Sequence, residues 1–253
     1  MWLALAVLFC SAARGAAPSY SAAGIVSTAN FTPGPFACNT LITIFGSGLA
    51  RSAYGATPAD IVNNTLPTEL NYTRVTIDDW SVPLLYVSDG QVNLLIPPKQ
   101  SNGPAKLRVV REGQPGPEVT INVVDAAPAL FVTPENLAIA THADNSVITA
   151  EKPAVGGELI VIYATGMGKA DVMPLSGELP PFASQLADRG TLKVLLNGVA
   201  IDPAQVRYAG LTPRSAGLYQ INVVLPENPG SDPELRLAIG SGISSAGVKL
   251  PLR

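Results

Sequence analysis

A chain of 253 residues, 47% hydrophobic and only 14% charged, holds enough apolar material for one large domain or two ordinary ones, and too little charge for a disordered chain. The net charge of −3 leaves no basic face for a phosphate backbone, which excludes nucleic acid as a partner. Its 23 Gly and 23 Pro are dispersed between short apolar runs, the pattern of an all-β chain with many turns.

The N-terminus reads MWLALAVLFCSAARGAAPSY. Trp2 to Cys10 form an apolar core too short to span a bilayer, and Ala13 and Gly15 supply small side chains at the −3 and −1 positions of a signal-peptidase site. Residues 1–15 are therefore expected to be a signal peptide, and the mature chain to be secreted, periplasmic or held at the cell surface. No Lys or Arg precedes the apolar core, which departs from the usual signal and leaves a start upstream of Met1 open. Phe9 stands before Cys10, where a lipoprotein signal needs a small residue. After cleavage no run approaches the ~20 residues of a membrane helix. Cys38 then lacks a partner in the mature chain, and reads as a small buried hydrophobe or as a point of pairing with another chain.

Further along, the sequence repeats itself. Segment 19–31 supplies a first edge strand, and LITIFGSGLA (41–50) is matched by LIVIYATGMGKA (159–170). VTIDDWSVPLLYVS (75–88) is matched by LKVLLNGVAIDPAQVRYAG (192–210), each a strand entering a tight turn, at Asp78-Asp79 or Asn197-Gly198, and a second strand ending near Tyr86 or Tyr208. Next come QVNLLIP and QINVVLP, which share Gln91, Asn93 and Pro97 against Gln220, Asn222 and Pro226. Alternation puts Val92, Leu94 and Ile96, or Ile221, Val223 and Leu225, in a core and the Gln-x-Asn pair on the opposite face. The polar pair thus reads as a structural motif inherited by both copies. The fold expected is two tandem immunoglobulin-like β-sandwiches related by internal duplication, residues 16–124 and 158–253. Residues 125–157 form an ordered bridge packed between them, with a hairpin turning at 143–145. Insertions at 171–190 and 211–219 lengthen the second copy, in end loops where recognition surfaces are usually built.

In this order, GIVSTANFTPGPFACNTLITIFGSGLA, LLYVSDGQVNLLIP, DAAPALF, GELIVIYATGMGKA and VRYAGLTPRSAGLYQINVVLP resemble an uncharacterised domain of secreted proteins of Acidobacteria, notably Solibacter. Its halves are similar to TIG-type immunoglobulin-like domains. The resemblance implies secretion and a non-catalytic accessory or cell-surface role, and brings no site residues with it.

Catalytic constellations are missing. His142, the one histidine, falls at the predicted hairpin tip, where a solvent-facing loop residue is expected, and no nucleophile elbow accompanies it. One His and one mature Cys cannot assemble a zinc site. Calcium is the candidate ion, with Asp78, Asp79 and Asp144 as candidate ligands, although no EF-hand spacing is present. For a polysaccharide or an envelope protein as partner, the candidates are aromatic: Trp80 at the first copy's turn, then Tyr72, Phe182 and Tyr219. The function expected is a non-catalytic binding or adhesion module outside the cell. A structural spacer of an envelope assembly is the alternative, and a carbohydrate-active enzyme of unrecognised type a minor one.

Overall fold

The computed structural model describes residues 16–253, and the expected signal peptide lies outside the described residues. The first half carries β1 (Ser19–Ser27), β2 (Phe36–Ala37), β3 (Leu41–Ser47), β4 (Tyr54–Gly55), β5 (Glu69–Leu70), β6 (Thr73–Ile77), β7 (Trp80–Ser81), β8 (Leu84–Val87), β9 (Gln91–Leu95), β10 (Gly103–Arg111), β11 (Gln114–Pro115) and β12 (Val119–Val124). They make two sheets, β1-β3-β9-β8-β4 and β2-β12-β10-β6-β5, with β7 and β11 as hairpin partners of β6 and β10. The second half carries β13 (Ala129–Leu130), β14 (Ala140–His142), β15 (Leu159–Thr165), β16 (Ser184–Gln185), β17 (Lys193–Leu196), β18 (Val199–Ala200), β19 (Val206–Leu211), β20 (Tyr219–Val224), β21 (Leu235–Ile239) and β22 (Gly242–Ile243). Its sheets run β13-β15-β20-β19-β16, with β14 also on β15, and β18-β17-β21-β22. Two face-to-face sheets around each of two cores make an all-β fold of two immunoglobulin-like sandwiches.

Alternation in β9 and β20 sorts the side chains as the sequence requires. Val92, Leu94 and Ile96 are buried in the first core with Ile42 and Ile44, and Ile221, Val223 and Leu225 in the second with Ile160 and Ile162. The register is the same in both halves: Ile44 opposes Val92 and Thr43 opposes Asn93, as Ile162 opposes Ile221 and Val161 opposes Asn222. On the other side of the Asn, β8 and β19 each carry an irregularity, between Leu84 and Tyr86 and between Val206 and Tyr208. Such a bulge puts two consecutive side chains on one face.

The strand expected from Trp80 to Tyr86 is broken. Trp80 and Ser81 close a hairpin onto β6 through Asp78 and Asp79, both in the left-handed region at φ 48° and 67°. The chain then leaves that sheet at Val82-Pro83, and β8 joins the opposite one. A proline cannot donate to the ladder, so pairing with β6 stops there. In the second half Pro203 sits in a 3-10 turn between β18 and β19, with the same effect.

Residues 125–157 add strands to the second sandwich, and the Val132 N–H donates to Ala29 O of the first at 3.2 Å. β13 and β14 both pair with β15, taking the place beside β15 that β1 takes beside β3. An edge strand satisfies the outer backbone groups of β15, which a free bridge would leave to water. The turn at 143–145 closes with the His142 N–H donating to Ser146 O at 2.9 Å.

The sandwiches meet on one half of the outer face of the β1-β3-β9-β8-β4 sheet. Leu41, Leu95 and the bulge residue Leu85 pack there with Leu66, Ile61, Leu179 and Ala216. Thr165 Oγ1 accepts the Leu41 N–H at 3.1 Å and donates to Gly217 O at 2.7 Å. Gly217 is required twice over: its φ is +65°, and a Cβ would stand 2.7 Å from Leu41 Cγ and Leu95 Cδ1. The insertion at 211–219 is therefore an interface element rather than a free end loop.

Candidate functional site

The turn that reverses the chain at Asp78-Asp79 leaves Trp80 at the tip of a hairpin with nothing above it. Its side chain is 78% exposed, the most open large apolar residue described. Beside it lies a cleft of about 430 Å³ bordered by Asp78, Ser81, Pro97, Lys99, Gln100, Ser101 and Ser176. Asp78 organises it: Oδ1 accepts the Lys106 N–H at 2.8 Å, and Oδ2 accepts Gln100 Nε2 at 2.9 Å. One carboxylate thus ties the hairpin tip to the loop after β9, and those bonds are charge-assisted.

Ser176 comes from the other half, on the insertion at 171–190. That insertion is clamped to the first sandwich: Leu66 N–H donates to Gly177 O at 2.8 Å, Leu179 N–H to Asn64 O at 2.9 Å, and Asn64 Nδ2 to Leu179 O at 2.7 Å. Gly177, at φ +78°, lies so close that a Cβ would stand 3.0 Å from Pro83 Cγ. Both halves therefore build the cleft. An uncovered indole face beside hydroxyl, amide and ammonium groups can stack on the C–H face of a ring while its hydroxyls are hydrogen-bonded.

The other aromatic candidates do not join it. Phe182 is exposed on the same insertion but does not border the cleft. Tyr72 is exposed in the turn between β5 and β6, where Asn71 and Tyr72 have φ 45° and 58°. Tyr219 is no binding residue. It points inward and is fully buried, its Oη donating to Gly168 O and accepting from Asn39 Nδ2 at 3.0 Å. It shares the inner face with Ile221 and Val223, a placement that alternation along β20 could have shown.

His142 is likewise not at a solvent-facing tip. It ends β14, is buried, and has Nδ1 2.5 Å from Glu158 Oε1 and Nε2 3.3 Å from Lys152 O. Glu158 lies on the chain leading into β15, which β14 pairs with, so strand pairing and not sequence spacing brings the two together. The calcium candidates do not converge: among the described residues no group of three His, Cys, Asp or Glu side chains is placed to hold a metal. Asp144 accepts from Ser146 through its hydroxyl and its N–H, which hold the carboxyl at about 2. Cys38 is a buried free thiol, and burial raises its pKa.

The Gln-x-Asn pair behaves alike in both halves. Gln91 Nε2 donates to Asn93 Oδ1 at 2.8 Å, and Gln220 Nε2 to Asn222 Oδ1 at 3.2 Å. Pro97 and Pro226 follow the ends of β9 and β20. Residues not singled out in the sequence are Lys99, Gln100, Ser101 and Ser176 at the cleft, and Phe31 and Phe45, two exposed aromatics with ring centroids 6.0 Å apart. Period-two alternation could have found Phe45, which shares a face with Thr43.

Among known families, residues 26–123 match the family model of the IPT/TIG domain. No curated protein matches the chain. Among solved structures, a surface glycan-binding protein from Prevotella bryantii is similar at 12% identity and TM-score 0.29, over 92% of this chain and 42% of its own. A surface glycan-binding protein of a Bacteroides ovatus mixed-linkage glucan utilization locus, in complex with a heptasaccharide, gives 10% identity and TM-score 0.34 over 93% and 45%. The Escherichia coli adhesin FdeC gives 16% and 0.26 over 94% and 66%. The chain spans less than half the length of the two glycan-binding proteins.

Proposed function

We propose that this is an exported, non-catalytic binding protein that takes a polysaccharide at the Trp80 cleft. The observation that carries the reading is the open indole of Trp80 over a polar cleft to which Ser176 of the second half contributes. An exposed tryptophan stabilises nothing in the fold, whereas a ring stacked on it would cover apolar surface at little cost in side-chain entropy. Export rests on the apolar N-terminal stretch, and the absence of catalysis on a chain with one histidine already paired to a structural carboxylate.

Trp80 is the one tryptophan among the described residues, so in protein prepared from residue 16 onward its fluorescence reports this site. Titration with soluble polysaccharides and cell-wall fractions, with and without calcium, tests the reading. A saturable fluorescence change in the parent, together with an affinity that falls at least about tenfold in Trp80→Ala when measured by titration calorimetry, supports it. A flat response to every fraction in both conditions sinks it and favours the second reading, a rigid spacer of an envelope assembly. That reading has its own support in the joint between the sandwiches, where apolar packing and the Thr165 hydrogen bonds fix one half on the other.

A further inference from the structure

The outer face of the β1-β3-β9-β8-β4 sheet is only half covered. Leu41, Leu85 and Leu95 lie under the second sandwich. The rest of that face, where Phe45 opposes Gln91 and Tyr86 opposes Asn93, stays open. Phe45 is 40% exposed, and Phe31, 58% exposed, is held over it with the rings tilted at 45°. Phe31 has φ +57°, a left-handed backbone that a bulky residue rarely adopts, and the turn therefore places an aromatic in water at a conformational cost.

Beside the rings the polar groups are fixed. Asn93 Oδ1 accepts from Gln91 Nε2 at 2.8 Å and from the fully buried Thr43 hydroxyl at 3.1 Å. Both bonds end on the same oxygen, so the Asn93 amide cannot turn over. Its NδH2 donor and the Gln91 Oε1 acceptor are left without partners among the described residues, on a half-buried surface. The second sandwich keeps the Gln-Asn bond, but Val161 stands where Thr43 does, and Asn222 lacks the second anchor. The first copy's amide pair is thus held more firmly than scaffold alone requires, next to an aromatic pair that scaffold does not require at all.

We infer that this open half-face is a second saccharide-binding surface. A pyranose ring stacks on Phe45 against the edge of Phe31, with neighbouring hydroxyls accepting from Asn93 NδH2 and donating to Gln91 Oε1. The two free groups, one donor and one acceptor, match adjacent sugar hydroxyls and carry no charge, which selects neutral glycans. The surface is distinct from the Trp80 cleft, which lies on the hairpin of the opposite sheet.

The test uses the protein and its Trp80→Ala variant in affinity electrophoresis against soluble mixed-linkage β-glucan, xylan, mannan and pectin. Two variants address the face: Phe45→Ala removes the platform, and Asn93→Asp keeps the anchoring Oδ1 but removes the donor. The expected result is that Trp80→Ala still binds a neutral glycan, and that adding Phe45→Ala or Asn93→Asp weakens this at least about tenfold. In the single Phe45→Ala and Asn93→Asp variants the thermal midpoint and any Trp80 fluorescence response stay unchanged. Residual binding indifferent to Phe45 and Asn93, preference for pectin over every neutral glycan, or no binding by Trp80→Ala each overturns the inference. Glycan binding by the parent with no change in Trp80 fluorescence would count against the cleft and leave the face standing.

Discussion

Asn39 of the first sandwich donates its side-chain amide to Tyr219 Oη of the second at 3.0 Å, with both residues buried. The phenol in turn donates to Gly168 O, so one hydroxyl links three segments across the joint. Tyr219→Phe is expected to cost about 1–3 kcal/mol, because it strands the Asn39 amide and the Gly168 carbonyl in the interior. Urea unfolding measures this.

The same residue sets an alkaline limit. Burial raises the Tyr219 phenol above its ordinary value, only partly offset by the Asn39 hydrogen bond. Above about pH 10 the unfolded chain ionises this tyrosine while the folded one keeps its proton. The folded state then binds more protons, so stability is full below about pH 10 and falls as pH rises beyond it. In Tyr219→Phe that fall is expected to be shallower, as thermal midpoints taken from pH 8 to pH 11 would reveal.

At Gly217 the two sandwiches touch through backbone. Gly217→Ala forces a Cβ against Leu41 and Leu95 at a φ of +65°, and should destabilise by about 1–3 kcal/mol. The joint absorbs the strain, so calorimetry is expected to resolve two transitions in the variant where the parent shows one. A single, unshifted transition would mean that the joint yields freely.

Removing the indole should act on binding and not on the fold. With a side chain 78% exposed, Trp80→Ala is expected to shift stability by less than about 0.5 kcal/mol. Affinity for a polysaccharide at the cleft should fall at least about tenfold, or roughly 1.4 kcal/mol. Paired unfolding and binding curves separate the two effects.

His142 and Glu158 clasp β14 to the start of β15, with Glu158 Oε2 also accepting the Val155 N–H at 3.1 Å. His142→Ala leaves that carboxylate without its ring partner and the Lys152 carbonyl short of a donor, at an expected cost of about 2–4 kcal/mol. Glu158→Gln, which keeps an acceptor for Val155, should cost less. Equal losses in denaturant titration would contradict this division of roles.

Much of the architecture was legible because it depends on short-range periodicity. Val92, Leu94 and Ile96 had to share a face, Asn197-Gly198 and Asp78-Asp79 had to turn, and the Gln-x-Asn pair had to lie opposite the core. The same logic placed Trp80 at a turn. It failed where the partner was distant. Nothing near His142 announced Glu158, which strand pairing delivers, and Leu85 became an interface residue only because a bulge moved it to the outer face. Tyr219 was mistaken for a surface aromatic because its inserted loop suggested an end, whereas that loop packs on the other sandwich.

By itself, then, the sequence determined an all-β chain, its strand faces and its turns, since these follow from which side chains alternate and which residues tolerate a positive φ. Only the tertiary structure decided that the two sandwiches share a joint, that Ser176 reaches the Trp80 cleft, and that half of one sheet face stays open beneath Phe31. Those outcomes rest on contacts between residues far apart in the chain, where shape and hydrogen-bond geometry, rather than local pattern, choose the partner.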